Sequence, residues 1–262
     1  MAPAPVLVRG GGELSSAAAR LLFLSGYPVA ILERPEPLAV RRKVSFAQAL
    51  FAEETVVEGV RGRRVPLDQI APGHAFVAVA VDPEGESIDR LRPAVLVDGR
   101  MLKRNEGTTR AQATLVVGLG PGFIAGDDVH AVVETQRGPS LGRVLWSGRA
   151  EADSAHPARV LGYADERVLR APRGGRFQGR VRIGDVVTPG QTLGEVEGEP
   201  VVASIAGLVR GLVADGVRVE PAVKIGDIDP RGLSVAADRI SDKARAVAAG
   251  VLEAVLVSLR PR

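Results

Sequence analysis

The chain contains no cysteine. That absence excludes disulfides, thiolate zinc and iron–sulfur sites, and any covalent persulfide or thioester step carried by this chain itself. Histidine is almost as scarce: His74, His130 and His156 are the only three, and no two are close in sequence. A tight transition-metal site held by this chain alone is therefore not expected, and no metal ligand is assigned. Aromatic residues make up only 3%, so the core must be assembled from Val, Leu, Ile and Ala. No run approaches the roughly 18 uninterrupted apolar residues that a membrane span requires. Met1 to Pro5 leads straight into an apolar strand, which leaves no room for a signal peptide. The expected location is the cytoplasm, without a membrane partner.

What is present reads as an ordinary folded protein. The 262 residues are 45% hydrophobic and 25% charged, enough to bury a core and to divide into two or three units. The formal charge is only +3 although the pI is near 9.7. Arginine accounts for the difference, supplying 30 of the 34 basic residues. A genome rich in G and C explains that skew without function. The functional alternative is recognition of phosphate or carboxylate, which the guanidinium fork suits. The basic residues are dispersed with few aromatics between them, so nucleic acid is not an expected partner.

Val6 to Arg9 reads as a strand, Gly10-Gly11-Gly12 as a tight turn, Leu14 to Leu24 as a helix ended by Gly26, and Pro28 to Leu32 as a second strand. Strand, glycine turn, helix and strand within about thirty residues make a βαβ unit. Gly10, Gly12 and Ser15 take the small positions of G-x-G-x-x-[G/A/S], and Glu33 follows Gly12 by 21 residues. The glycines permit close approach of backbone amides to phosphate, and the carboxylate is placed for a ribose hydroxyl. The bland alternative is a turn that packs helix on strand and holds no nucleotide. Arg41 and Arg42 follow the second strand and are candidates to clamp an anion. So are Lys103 and Arg104, in the basic loop after a strand over Ala94 to Asp98.

Thr114 to Gly118 reads as a further strand feeding Gly118-Leu119-Gly120-Pro121-Gly122. Gly118, Gly120 and Gly122, alternating along the chain, offer a second set of amides to an anion. Asp127, Asp128 and His130 have a spacing compatible with a divalent cation, but the more ordinary role, capping and solvating a turn, is favoured.

A duplication lies further on. GDVVTPGQTLGEVE from Gly184 aligns with GVRVEPAVKIGDID from Gly216 at an offset of 32 residues, and Gly175 and Gly179 align with Gly207 and Gly211. Two copies punctuated by Gly and Pro imply a pseudo-two-fold β module whose halves cannot bury their apolar faces alone. That stretch resembles the biotinyl/lipoyl carrier fold, a barrel-sandwich hybrid. The tip Glu197-Gly198-Glu199-Pro200 lacks the carrier's lysine, so a swinging arm is not expected. Lys224 and Arg231 break the symmetry of the copies and are candidate functional residues, against the plainer reading of surface ion pairs. Arg239 to Leu259 reads as a helix capped by Asp238 or Ser241, with Arg260 and Arg262 at its negative end. Its broad apolar face docks it within the chain or across a homodimer.

The fold class expected is therefore α/β: a Rossmann-like N-terminal part, a duplicated β module of biotinyl/lipoyl-like type, and a terminal helix. The boundaries expected are 1–111, 112–173, 174–232 and 233–262.

Taken together, VLVRGGGELSSAAARLL, PLAVRRKVSFAQAL, VDGRMLKRN, VVGLGPGFIAGDDVHAVVETQRG, LGRVLWSG, VKIGDIDPRG and ISDKARAVAAGVLEA resemble the bacterial accessory family of selenium-dependent molybdenum hydroxylases. They are more distantly similar to maturation factors of xanthine and carbon monoxide dehydrogenases. The resemblance implies a partner, a molybdenum hydroxylase client, and an anionic small-molecule ligand of molybdopterin or dinucleotide type. Without cysteine, any step that holds sulfur or selenium on a thiol takes place on another protein. Two other readings stand beside this one: an NAD(P)- or nucleotide-dependent enzyme, and a non-catalytic scaffold. No G-x-x-x-x-G-K-[S/T] loop is present, nor a convincing hydride-transfer constellation.

Overall fold

A computed structural model of the chain describes residues 5–70, 73–153 and 157–259; His156, Arg260 and Arg262 lie outside them. The chain divides into two units: Met1–Pro35 with Val44–Asp153 and Ile240–Arg262, and Glu36–Lys43 with Ser154–Arg239.

In the first unit, short runs of Val, Ile, Leu and Ala are buried on both faces, as central parallel strands require. They form β1 (Val6–Arg9), β2 (Val29–Glu33), β5 (Val77–Val81), β6 (Val95–Asp98), β7 (Leu115–Leu119) and β8 (Ala131–Val133), whereas β3 (Glu54–Val57), β4 (Val60–Arg64) and β9 (Val144–Leu145) are partly exposed. These make one nine-stranded sheet in the order β3-β4-β5-β2-β1-β6-β7-β8-β9. Neighbours from β4 to β8 are parallel. The outer strands β3 and β9 are antiparallel to theirs.

Helix α1 (Glu13–Leu24) crosses from β1 to β2, while α2 (Ala49–Ala52) and α3 (Ile88–Leu91) are single turns. The terminal helix α4 (Asp242–Ser258) lies along α1 on the same face of the sheet. Ala17, Ala18 and Leu22 of α1 share a core there with Val247, Val251 and Val255 of α4. The start of α4 is tied down three ways. The Ser241 side chain accepts from the Ala244 N–H at 3.2 Å, Glu13 accepts from the Ser241 N–H at 3.0 Å, and Glu58 accepts from the Ile240 N–H at 2.9 Å. The opposite face is covered by loops and turns that contribute Ile70, Ile88, Phe123 and Ala125.

The second unit contains β10 (Val168–Arg170), β11 (Gly175–Gly179), β12 (Val186–Val187), β13 (Thr192–Val196), β14 (Glu199–Val202), β15 (Gly207–Leu212), β16 (Arg218–Val219) and β17 (Lys224–Asp229). They form two four-stranded sheets, β10-β17-β15-β12 and β14-β13-β11-β16, antiparallel throughout. The 32-residue offset maps β11 onto β15, β12 onto β16 and β13 onto β17. Strands are exchanged between the copies: β12 of the first pairs with β15 of the second, and β16 of the second with β11 of the first. Segment 36–43 straps this unit. The Leu212 N–H donates to the Val40 carbonyl at 2.8 Å, and Gly211 leaves room for Val40 and Arg41.

The fold class expected from sequence is corrected by this topology. A Rossmann-like domain joined to a biotinyl/lipoyl-like module gives way to one large mixed sheet and two separate antiparallel sheets. The βαβ signature is local to β1, α1 and β2. Beyond it the crossovers are loops and single turns, and hairpins add antiparallel strands at both edges of the sheet.

Candidate functional site

The glycine turn after β1 is shaped by its neighbours more than by open solvent. Gly10 has φ +90°, and a Cβ there would lie 3.1 Å from the Arg100 backbone. At Gly11 a Cβ would come within 2.9 Å of the Ala47 backbone nitrogen. Gly12 differs: it precedes α1 at φ −69° and ψ 179° without a side-chain cap, and a Cβ on it meets nothing within 4 Å. Ser15 is buried and donates to the Gly99 carbonyl at 3.0 Å, tying α1 to the loop after β6. Glu33 accepts from the Gly11 N–H through one oxygen and from the Arg34 N–H through the other, each at 2.7 Å. Burial pushes its carboxyl above the usual range against the pull of those two N–H groups.

The loop after β6 is held by a buried charge network. Asp98, 1% exposed, accepts from the Arg100 guanidinium at 2.7 Å and from the Thr108 hydroxyl at 2.5 Å. Arg9, 3% exposed, donates to that hydroxyl at 3.1 Å and to the Pro83 and Glu84 carbonyls at 3.2 and 3.1 Å. Burial first, then Arg100, lower the pKa of the Arg9 guanidinium, while Asp98, Asp82 and Glu84 oppose them. Lys103 pairs with Asp153 at 2.6 Å and Arg104 with Glu106 at 2.8 Å, both at the exposed tip of the loop.

The second glycine loop closes on the same segment. Gly122, at φ +112°, abuts the Lys103–Arg104 backbone, where a Cβ would lie 2.7 Å from the Arg104 nitrogen. Gly118 packs on Phe123, and Gly120, at φ +72°, packs on Thr135. Thus the C-terminal rim of β1, β6 and β7 gathers Gly10, Gly11, Gly12, Ser15, Glu33, Lys103, Arg104, Gly118, Gly120 and Gly122. The remaining four candidates belong to the second unit. There Arg41 donates to the Arg239 carbonyl at 2.9 Å, Arg42 to the Leu212 carbonyl at 2.8 Å, Lys224 pairs with Asp227 at 3.6 Å, and Arg231 with Asp229 at 2.7 Å. The pair Asp227 and Asp229 is buried, and Arg167 and Arg210 flank it as well.

Asp128 caps a turn by accepting from the Ile124 N–H at 2.9 Å, and the His130 Nδ1 accepts from the Val116 N–H at 3.0 Å. Among the described residues no cluster of three or more acidic, histidine or cysteine side chains is arranged to hold a metal.

Sequence reading missed Arg9, Asp98, Arg100, Glu134 and Lys243. Arg9 and Asp98 carried a signal, since each places a charge at the end of an otherwise apolar strand. Glu134 is 2% exposed and accepts from the Gln136 and Glu151 N–H groups at 2.6 and 2.7 Å, fixing the loop after β8. Lys243 sits half-buried in the first turn of α4. Burial pulls its amine below the usual lysine range, helped by Arg137 and opposed by Glu13, Asp153 and Glu134.

Along nearly its whole length the chain is homologous to part of a larger bacterial protein. That relative is YqeB of Escherichia coli (strain K12), itself uncharacterized and 41% identical over 255 residues. The match takes in 96% of this chain and 47% of YqeB, so the chain spans about half the length of its curated relative. Homology of this extent supports grouping the chain with YqeB-like proteins. No family model matches it. Solved structures with some likeness include an aspartoacylase family protein of Mesorhizobium loti, at 12% identity, TM-score 0.28, and 87% and 85% coverage of the two chains. The ectoine utilization protein EutE (DoeB) of Ruegeria pomeroyi, with product bound, gives 13%, 0.26, and the same two coverages. Likeness at that level assigns neither fold nor activity.

Proposed function

We propose that this chain binds an anionic nucleotide- or pterin-type cofactor at the C-terminal rim of the large sheet, and that it does so as an accessory protein in the maturation of a molybdenum hydroxylase. One observation carries the binding half of the reading. Two glycine loops about 110 residues apart close on a single basic loop, Gly10 against Arg100 and Gly122 against Lys103 and Arg104, beside open space at Gly12. Close backbone approach with adjoining cations is the arrangement that phosphate oxygens favour. The molybdenum half is supported by the ordered strings that resemble the hydroxylase accessory family.

A second reading, a non-catalytic scaffold, is favoured by a different fact. The Gly11 N–H already donates to Glu33, and the space at Gly11 is taken by Ala47, so part of the turn is filled by the protein itself. Native mass spectrometry of the natively expressed protein decides between them, together with thermal shifts against cytidine nucleotides, NAD, NADP and molybdopterin. A co-purified pterin, or stabilisation by pterin or cytidine ligands, supports cofactor handling. Stabilisation by NAD or NADP alone indicates the enzyme alternative, and no shift with any ligand leaves the scaffold.

A further inference from the structure

The two sheets of the second unit repeat one another, so each serves as a control for the other. The order β14-β13-β11-β16 matches β10-β17-β15-β12, which makes β13 the counterpart of β17 and β14 that of β10. In the first sheet Thr192 stands opposite Val202, and in the second Lys224 stands opposite Arg170. A register irregularity lies directly beside each of these pairs. The same position in the same frame thus carries a neutral pair in one sheet and a pair of like charges in the other.

Like charges that face each other across a strand pair are destabilising, and the neighbouring carboxylates are already taken. Arg167, from the turn before β10, donates to the buried Asp227, and Lys224 lies 3.6 Å from that same carboxylate oxygen. Arg170 is exposed, donates to the Ala222 carbonyl at 3.1 Å, and makes no ion pair among the described residues. The next carboxylate along β17, Asp229, accepts two side-chain bonds from Arg231 at 2.9 and 2.7 Å, with Arg210 at 3.9 Å. Burial lowers the pKa of the Lys224 amine, Asp227 raises it, and Arg167 and Arg170 lower it further.

Arg167 thus neutralises Asp227, and Lys224 and Arg170 remain as two surplus cations held side by side at the solvent boundary. We propose that Lys224 and Arg170 bind the phosphate group of a small molecule, with Arg167 and Asp227 fixing the lysine from beneath. A phosphate monoester carries about two negative charges at neutral pH, which matches that surplus, whereas a single carboxylate supplies half of it. The arginine offers a planar fork of donors to two oxygens, and the lysine a point charge to a third. The site lies wholly in the second unit and stands or falls separately from the rim of the large sheet.

The test uses the intact chain with inorganic phosphate, and acetate at equal ionic strength as the comparison. Reductive methylation mapped by mass spectrometry reads each lysine, and urea unfolding reads stability. Phosphate should protect Lys224 tenfold or more while acetate does not, with Lys43 unchanged. Arg170→Val should abolish that protection and Arg170→Lys should keep part of it. The double variant Arg170→Val/Lys224→Thr, close to the neutral pair of the other sheet, should unfold at a higher urea concentration than wild type in phosphate-free buffer. Equal protection by acetate, or protection that persists in Arg170→Val, overturns the site. So does a double variant with an unchanged midpoint, because the like-charge cost is then absent. Protection of Lys103 with Lys224 unprotected overturns it too, and places the phosphate at the rim instead.

Discussion

Gly12→Asp separates ligand binding from folding unusually well. At φ −69° and ψ 179° the position needs no glycine, and a Cβ there meets nothing within 4 Å. Aspartate is among the preferred residues for the position that precedes a helix, whereas glycine there costs only a few tenths of a kcal/mol. The substitution should therefore leave stability unchanged or raise it by a few tenths of a kcal/mol. The ligand meets the opposite situation. A carboxylate about 4 Å from a phosphate oxygen costs about 4 kcal/mol at an effective dielectric of about 20. That corresponds to nearly a thousandfold in Kd. Solvent at the half-exposed rim and salt reduce the figure, so a loss of about thirtyfold to a thousandfold is expected, largest at low ionic strength. The assay pairs urea unfolding with calorimetric titration of pyrophosphate and CMP. Wild-type affinity in the variant, with an unchanged urea midpoint, refutes the placement of the anion over Gly12.

Three further outcomes follow from the geometry. Gly250→Ala, which would add roughly 1 kcal/mol to an isolated helix, should instead destabilise this one by about 1–3 kcal/mol in urea unfolding, because its Cβ runs into the Gly142 carbonyl. Glu58→Gln should lose about 1–2 kcal/mol at pH 7. Burial raises the Glu58 pKa, but the Ile240 N–H and Arg245 pull harder and leave it below the ordinary value. Its contribution is thus complete above the unfolded value and disappears as pH falls through the folded one, so the urea midpoints of wild type and variant should converge in acid. Glu33→Ala frees the Gly11 N–H and removes the expected ribose acceptor. Calorimetry should show weaker binding of CMP relative to pyrophosphate, and an equal loss for both rejects the ribose role.

Periodicity and punctuation made much of the local structure legible. The helix expected over 14–24 spans Glu13–Leu24, and the terminal helix expected over 239–259 spans Asp242–Ser258 because Ser241 caps it. The repeat was visible because Gly and Pro recur where strands begin and turn. Topology was less accessible: nothing in a 32-residue offset says that β12 and β16 trade sheets, since pairing depends on closure between copies and not on local propensity. The glycine turn shows the same limit. G-x-G-x-x-S reports backbone freedom, but not that Glu33 takes the Gly11 N–H or that Ala47 occupies the space beside it.

The exchange of β12 and β16 has a consequence for what was duplicated. Each copy lends the other an edge, so a single copy closes neither sheet. The element inherited twice is a pattern of strands, not a domain. Removing either copy would therefore strip an edge strand from the sheet that the other copy helps to build.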